Sequence, residues 1–255
     1  GDRVIAISED DSTLKVSGRT NFGIDVGAIR TGTAAPLVAE RTLVLGWNRR
    51  AIKIINELGA YVPPGSTLHV LADQPGGEAE VRQRCGGSPN QTVTFQAGDT
   101  TDRATLEALP LADVNHVILL GYCDALDMQA ADSKTLITLL HLRDLSGKRG
   151  IRIPIVSEML DVRNRELAEV TKADDFIVSE NIISLLIAQI SENKYLQAVF
   201  ADLFDPEGSE IYMKPATDYV AAGQAVNFYT VVEAARRRSH VAIGYRIAAS
   251  SQDAA

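Results

Sequence analysis

Hydrophobic and polar positions along this chain follow two alternating periods. Short apolar runs of strand length recur, and the stretches between them carry the 3–4 spacing of helices. The clearest case is the stretch RTLVLGWNRRAIKIINELGAYVPPGSTLHVLAD, residues 41–73, which reads as strand, tight turn, helix, loop and strand. Residues 67–73 are its second strand, and a short polar helix over 76–85 follows. A third strand over 92–96 leads into a helix over 102–109, with Asp102 as its N-cap. Residues 116–121, HVILLG, form a continuous apolar run of the kind a central parallel strand shows when both its faces are covered. Leu136, Leu139, Leu140 and residues 143–145 then predict a long helix, and residues 153–157 and 175–178 the fifth and sixth strands. Six strands alternating with helices predict an α/β fold, a doubly wound Rossmann-like parallel sheet.

Past the sheet, residues 181–204 read as one helix that is apolar on most sides of its first half. Ile182, Ile183, Leu186, Ile187 and Ile190 are too many apolar positions for one buried stripe, which predicts two partners: its own sheet and another subunit. A break at Pro206-Glu207-Gly208 opens a small α+β lobe over 205–255, with a helix over 227–238 and a strand over 240–247. At the other end, residues 2–7 suit an edge strand. Residues 11–39 have no period and are rich in Gly, Thr, Ser and Asp, the pattern of a mobile or loosely docked linker.

Composition narrows the function. At 255 residues and 45% hydrophobic content the chain can bury a large core. A formal net charge of −8 argues against a nucleic-acid partner. No run of 18 apolar residues is present to cross a membrane. Cys85 and Cys123 have the spacing of neither a zinc site nor a redox CxxC pair, and read as free thiols. The four histidines show no metal-ligand spacing, and no G-x-S-x-G elbow occurs, so the chain does not read as an enzyme.

The turn after the first strand is the pivotal motif. Dinucleotide folds use G-x-G-x-x-G/A there, the second glycine letting the pyrophosphate approach the backbone. Here those positions are Gly46, Asn48 and Ala51, so the fold signal is strong, the cofactor signal is weak, and NAD is not expected. The residues that would bind a smaller nucleotide are Gly46, Asn48, Arg49, Asp73, Gly98, Asp99 and Gly121, all at strand ends. Acidic residues at the same ends, Asp99, Asp124 and Asp127, offer oxygen ligands that suit calcium. Glu158, Asp161, Asp174, Asp175 and Glu180 form a second acidic group near the start of the long helix. The ordinary alternative for each is a helix cap or a solvated turn.

The segments LVLGWNRRAIKIINELGAYVPPGSTLHVLAD, IVSEMLDVRNRELAEVTKADDFIVSENIISLLIAQISENKYLQAVFADLFDPEGSEIYMKP and VAIGYRI are similar to the Castor/Pollux cation channels, over residues 40–247. The LGW turn and DPEGSEIYMK are the specific parts. The resemblance implies a cytosolic regulator-of-potassium-conductance (TrkA-N-like) module that assembles with copies of itself into a gating ring, beside a membrane pore in the same polypeptide. It also implies a division of the chain. Residues 1–13 would close a preceding module, 14–39 would be linker, 40–204 the Rossmann-like regulatory domain, and 205–255 an incomplete small lobe against which residues 2–8 would pair. Plant relatives bind calcium in this ring, so calcium is the implied ion, though no motif carries it residue by residue. The Ala-rich composition, with Arg over Lys, reads as bacterial. The alternatives are an NAD(P)-dependent oxidoreductase or redox sensor, and a ring module without any ligand.

Overall fold

The computed structural model describes residues 17–32, 37–161, 163–164, 175–205 and 210–247, with residues 175–180 described by backbone alone. These fall into two units. The larger, from residue 37 to Ile211, holds the sheet; the smaller combines residues 17–32 with 212–247.

In the larger unit the strands are β1 (Arg41–Leu45), β2 (Ser66–Ala72), β3 (Gln91–Ala97), β4 (His116–Leu119), β5 (Ile155–Met159) and β6 (Asp175–Val178). The helices between them are α1 (Ala51–Tyr61), α2 (Gly77–Arg84), α3 (Arg103–Glu107) and α4 (Met128–Arg149). The strand order is β3-β2-β1-β4-β5-β6. Every pairing is parallel. This is the doubly wound sheet the alternating pattern predicts, and its order reverses between β1 and β4.

Each face of the sheet is sealed by different helices. Leu43, Leu45, Leu71, Val117, Leu119 and Ile155 pack with Leu106 of α3 and Leu139, Leu142 and Leu145 of α4. Val44, Leu68, Val70 and Ala72 pack with Ala51, Ile52 and Ile55 of α1 and Val81 of α2. Strand side chains alternate between faces, so β1 sends Leu43 and Leu45 one way and Val44 the other. Trp47 is buried with the second cluster, edge-on to Phe95 at 5.9 Å.

Boundaries differ from the sequence pattern where a backbone group finds another partner. The β4 ladder stops at Leu119 because the Gly121 amide donates to a Glu158 carboxylate oxygen instead of a neighbouring strand. β5 begins at Ile155, two residues late, because Pro154 has no amide and only its carbonyl reaches β4, accepting from Val117. On α4, Leu140 points outward while Leu139 and Leu142 are fully buried.

The helix expected over 181–204 is two helices, α5 (Ser179–Glu192) and α6 (Leu196–Leu203). Asn193 breaks it: its amide closes the last turn of α5 on Gln189, and its side-chain oxygen takes the Tyr195 amide. Asn side chains compete with helix hydrogen bonding in this way. No helix among the described residues is long and apolar enough to cross a membrane.

The smaller unit is organised by α7 (Phe228–Arg236), capped by the Asn227 side chain on the Thr230 amide. Residues 22–30, placed by the pattern within a loose linker, fold onto this helix and the turn before it. Asn227 Nδ2 donates to the carbonyls of Phe22 (3.0 Å) and Gly23 (2.8 Å), and the Asp25 amide donates to Thr230 Oγ1 at 3.1 Å. Ile29 forms an antiparallel bridge with Val220, and Phe22 packs on Tyr229 at 4.8 Å. The period-free sequence concealed this docking because part of it comes from the side-chain amide of Asn227 and the hydroxyl of Thr230. Residues 240–247, expected as a strand, form no strand pairing among the described residues. The edge strand over 2–7, with its proposed pairing to the lobe, and the closing-strand role of residues 1–13 lie outside the described residues.

Candidate functional site

The sheet's C-terminal edge gathers the turns after β1, β2, β3, β4 and β5 around the first half of α4. At its centre lies the β1–β4 crevice, where this architecture binds ligands. Gly46 opens the β1 turn at φ +94°, and a Cβ there would lie 2.1 Å from the Leu120 carbonyl oxygen. Only glycine lets the two strand ends approach so closely.

Asn48 is buried and fully engaged. Its Nδ2 donates at 2.8 Å both to the Gly121 carbonyl and to Glu158 Oε2, while its Oδ1 accepts from the Arg50 amide at 3.0 Å. Its backbone is not left-handed, since Ser239 is the one non-glycine with positive φ among the described residues. The side chain crosses from the β1 turn to the β4 turn. Glu158, 8% exposed, also accepts from the Gly121 amide at 3.1 Å and pairs through Oε1 with the Arg50 guanidinium. The Arg49 amide donates to the Asp124 carboxylate, whose Oδ1 lies 3.8 Å from Arg49 Nε. The amides of Arg49, Arg50 and Ala51, which a phosphate would need at the start of α1, are thus taken by Asp124, Asn48 Oδ1 and the Asn48 carbonyl.

A second group lies across the ends of β2 and β3. Lys134 of α4, its side chain 19% exposed, approaches Asp99 Oδ1 at 3.2 Å and Asp73 Oδ2 at 3.8 Å, and its ammonium sits 4.4 Å from the centroid of the Tyr122 ring. The Asp73 amide donates to Tyr122 Oη at 3.0 Å. Backbone and hydroxyl hydrogen bonds from Thr101, with Lys134 adding to them, hold the Asp99 carboxyl below its ordinary value. Burial pushes the Tyr122 phenol up. The lysine lies on the ring face, and the phenol is tied to a backbone amide, so this Tyr–Lys pair does not have the arrangement of a hydride-transfer pair. Burial first, then the Glu158 and Asp124 carboxylates, push the Cys123 thiol up, against a smaller opposing effect of Arg50.

Several of the acidic residues expected to hold a metal ion are engaged by other partners. Asp127 caps α4 on the Ala130 amide, and Asp161 pairs with Arg163, whose hydrogen bonds lower its carboxyl to about 2. Asp99, Asp124 and Glu158 each face the cation named above. Among the described residues no three His, Cys, Asp or Glu side chains group to hold a metal. Asp174 lies outside the described residues, and Asp175 and Glu180 are described by backbone alone.

Four residues at this edge escaped the sequence reading: Arg50, Tyr122, Asp132 and Lys134. Asp132, 1% exposed on α4, accepts from the amides of Leu160 (2.9 Å) and Asp161 (3.0 Å) and from Asn164 Nδ2 (2.7 Å), fastening the chain after β5. Its helical position next to Ala131 gave no hint of that role. Away from this edge, the α5 residues expected at a subunit contact remain open: Ile182, Ile183 and Ile187 are 43%, 53% and 61% exposed, and Leu186 and Ile190 are half-buried.

Comparison with known proteins places these features. No family model matches the chain. It is 29% identical over 281 residues to "Probable ion channel CASTOR" of Oryza sativa subsp. japonica, spanning 97% of this chain and 31% of that protein. "Ion channel DMI1" of Medicago truncatula is 29% identical over 282 residues, 97% of this chain and 32% of its own. The chain thus spans about a third of the length of the curated relatives it matches. Its resemblance to the Castor/Pollux/DMI1 ion channels holds along nearly its whole length, across both units. Among solved structures, the TrkA-N domain of inner membrane protein ybaL from Escherichia coli aligns with TM-score 0.44 and 14% identity, over 60% of this chain and 97% of that one. The GsuK channel aligns with TM-score 0.42 and 16% identity, over 64% of this chain and 24% of its own. The strand order establishes the fold without them.

Proposed function

We propose that this chain is a regulatory module of a cation channel. It lies on the cytoplasmic face of a membrane, carries out no catalysis, and assembles with copies of itself beside a pore in the same polypeptide. The observation that carries the reading is the similarity to ion channels over 97% of the chain, which takes in the sheet and the small lobe alike. The open apolar stripe of α5 supports self-assembly, since several Ile and Leu side chains buried in a contact are worth about 1.5–3 kcal/mol each.

Of the two ligand classes expected from the sequence, the charge of the crevice favours a calcium-like cation over a nucleotide. Asp73, Asp99, Asp124, Asp127, Glu158 and Asp161 converge on the C-terminal edge, against Arg49, Arg50, Lys134 and Arg163. A divalent ion that displaced Lys134 from Asp73 and Asp99 would release α4 from the ends of β2 and β3. Differential affinity of this kind for two arrangements is what a gating ligand requires.

The test is ion flux through the longer polypeptide reconstituted in vesicles, with calcium, ADP or NAD added on the side of this module, beside calorimetry of the module itself. A cation flux changed by calcium and unmoved by NAD is the expected result. A flux indifferent to all three, or unaltered when residues 40–247 are deleted, would overturn the regulatory reading.

A further inference from the structure

The feature left unexplained by a cation-binding crevice is the company Glu158 keeps. A carboxylate nine-tenths buried at the end of β5 gathers donors from two distant stretches of chain. Asn48 Nδ2 and the Gly121 amide reach Oε2 at 2.8 and 3.1 Å, and the Arg50 guanidinium takes Oε1. These donors come from the β1 turn and the β4 turn, the two walls of the switch-point crevice. Two neutral N–H groups and one guanidinium converging on a pair of oxygens make an oxyanion cradle, the donor set that recognises phosphate or carboxylate. The Asn48 side chain is itself fixed by the Gly121 carbonyl at 2.8 Å and the Arg50 amide at 3.0 Å, so the cradle is held before any anion enters it.

We propose that Glu158 is a built-in anion: its carboxylate fills an oxyanion site at the β1–β4 crevice, and by filling it excludes phosphate-bearing ligands from that position. A pyrophosphate approaching this crevice would have to displace a buried carboxylate from these donors and would meet Asp124 at the start of α1 as well. Each is a like charge at short range, and the barrier to nucleotide binding is therefore electrostatic. The glycine missing at position 48 acts through the same device, because the Asn48 side chain helps to build the cradle that holds the carboxylate. The inference stands independently of the channel reading.

Removing the carboxylate should unmask the site. Glu158→Ala leaves the three donors facing a gap the size of a small oxyanion. Its melting temperature should fall by several degrees in chloride and recover by at least half in millimolar formate or phosphate at equal ionic strength. Trp47, the only tryptophan and the neighbour of Asn48, supplies a binding readout by fluorescence. It should report saturable phosphate binding at least tenfold tighter in the variant than in the wild type. Adding Arg50→Ala should abolish both effects. If Glu158→Ala does not fold in chloride, its refolding yield in formate against chloride gives the same answer. A variant that loses stability with no recovery in any anion would show Glu158 to be a structural ion pair only, and tight phosphate or ADP binding by the wild type at Trp47 would overturn the exclusion.

Discussion

Helices α4 and α5 make opposite use of their apolar residues. α4 is the longer and the more polar of the two, yet Leu139 and Leu142 are wholly buried and Leu145 nearly so against one face of the sheet. α5 is dense in Ile and Leu, and Ile182, Ile183, Leu185 and Ile187 stand between 43% and 61% exposed. Hydrophobic content alone therefore does not say what a helix is for. α4 buries three leucines in one continuous core, while α5 leaves its stripe exposed among the described residues.

The contrast breaks most sharply at Leu142. Leu142→Ala opens a cavity in a sealed core and should lower unfolding free energy by roughly 2–5 kcal/mol, with self-association unaltered at concentrations where the protein stays folded. Denaturant unfolding and sedimentation together check both halves of that statement. The converse substitution, Ile183→Asp with Ile187→Asp, changes side chains that are exposed among the described residues. It should leave monomer stability within about 0.5 kcal/mol while abolishing self-association at high micromolar concentration. A strict wild-type monomer under those conditions would deny α5 its partner. The smallest effect belongs to α7, whose last turn is fixed by charge. Hydrogen bonds from Arg236 and then Arg237 lower the Glu233 carboxyl from 4.5 to about 2. Its contribution is thus fully present above about pH 4.5 and is lost as pH falls through about 2. Glu233→Gln should lower the melting temperature slightly near neutrality and flatten the acid limb over that window, so that variant and wild type converge as pH falls towards about 2.

The sheet was legible because each strand carries its own apolar run and each crossover its own helical period, so local signals and global topology agree. The break between α5 and α6 was missed because Asn193 acts through its side-chain oxygen, which no apolar period registers. At the crevice, topology placed Gly46, Asp73, Asp99 and Gly121 at the correct edge, since strand ends and turns can be read from the pattern. The pairings could not be read. Asn48 and Arg50 find Glu158 across 110 and 108 residues, and Arg49 finds Asp124 across 75. The carboxylates looked like an unpartnered set because their cations, Lys134 and Arg163 among them, lie on neighbouring helices and loops with no marking in the sequence. Residues 22–30 were illegible for a related reason: their fold is specified by Asn227 and Thr230, some 200 residues on.

That last separation governs the order in which the molecule is made. On the ribosome, each strand of the sheet finds a neighbour already emerged or soon to emerge, and the unit can close as it is synthesised. Residues 22–30 leave the tunnel before any of it, yet the helix they dock on is spaced 205 residues downstream. Until α7 appears they have nothing to fold against, so the small lobe assembles after the sheet whose sequence interrupts it. Loop-closure entropy grows only with the logarithm of that interruption, so the delay costs the finished protein little stability. It leaves residues 22–30 waiting on α7 while the sheet is made, so a loss of α7 by truncation, stalled synthesis or proteolytic clipping is felt first in the lobe.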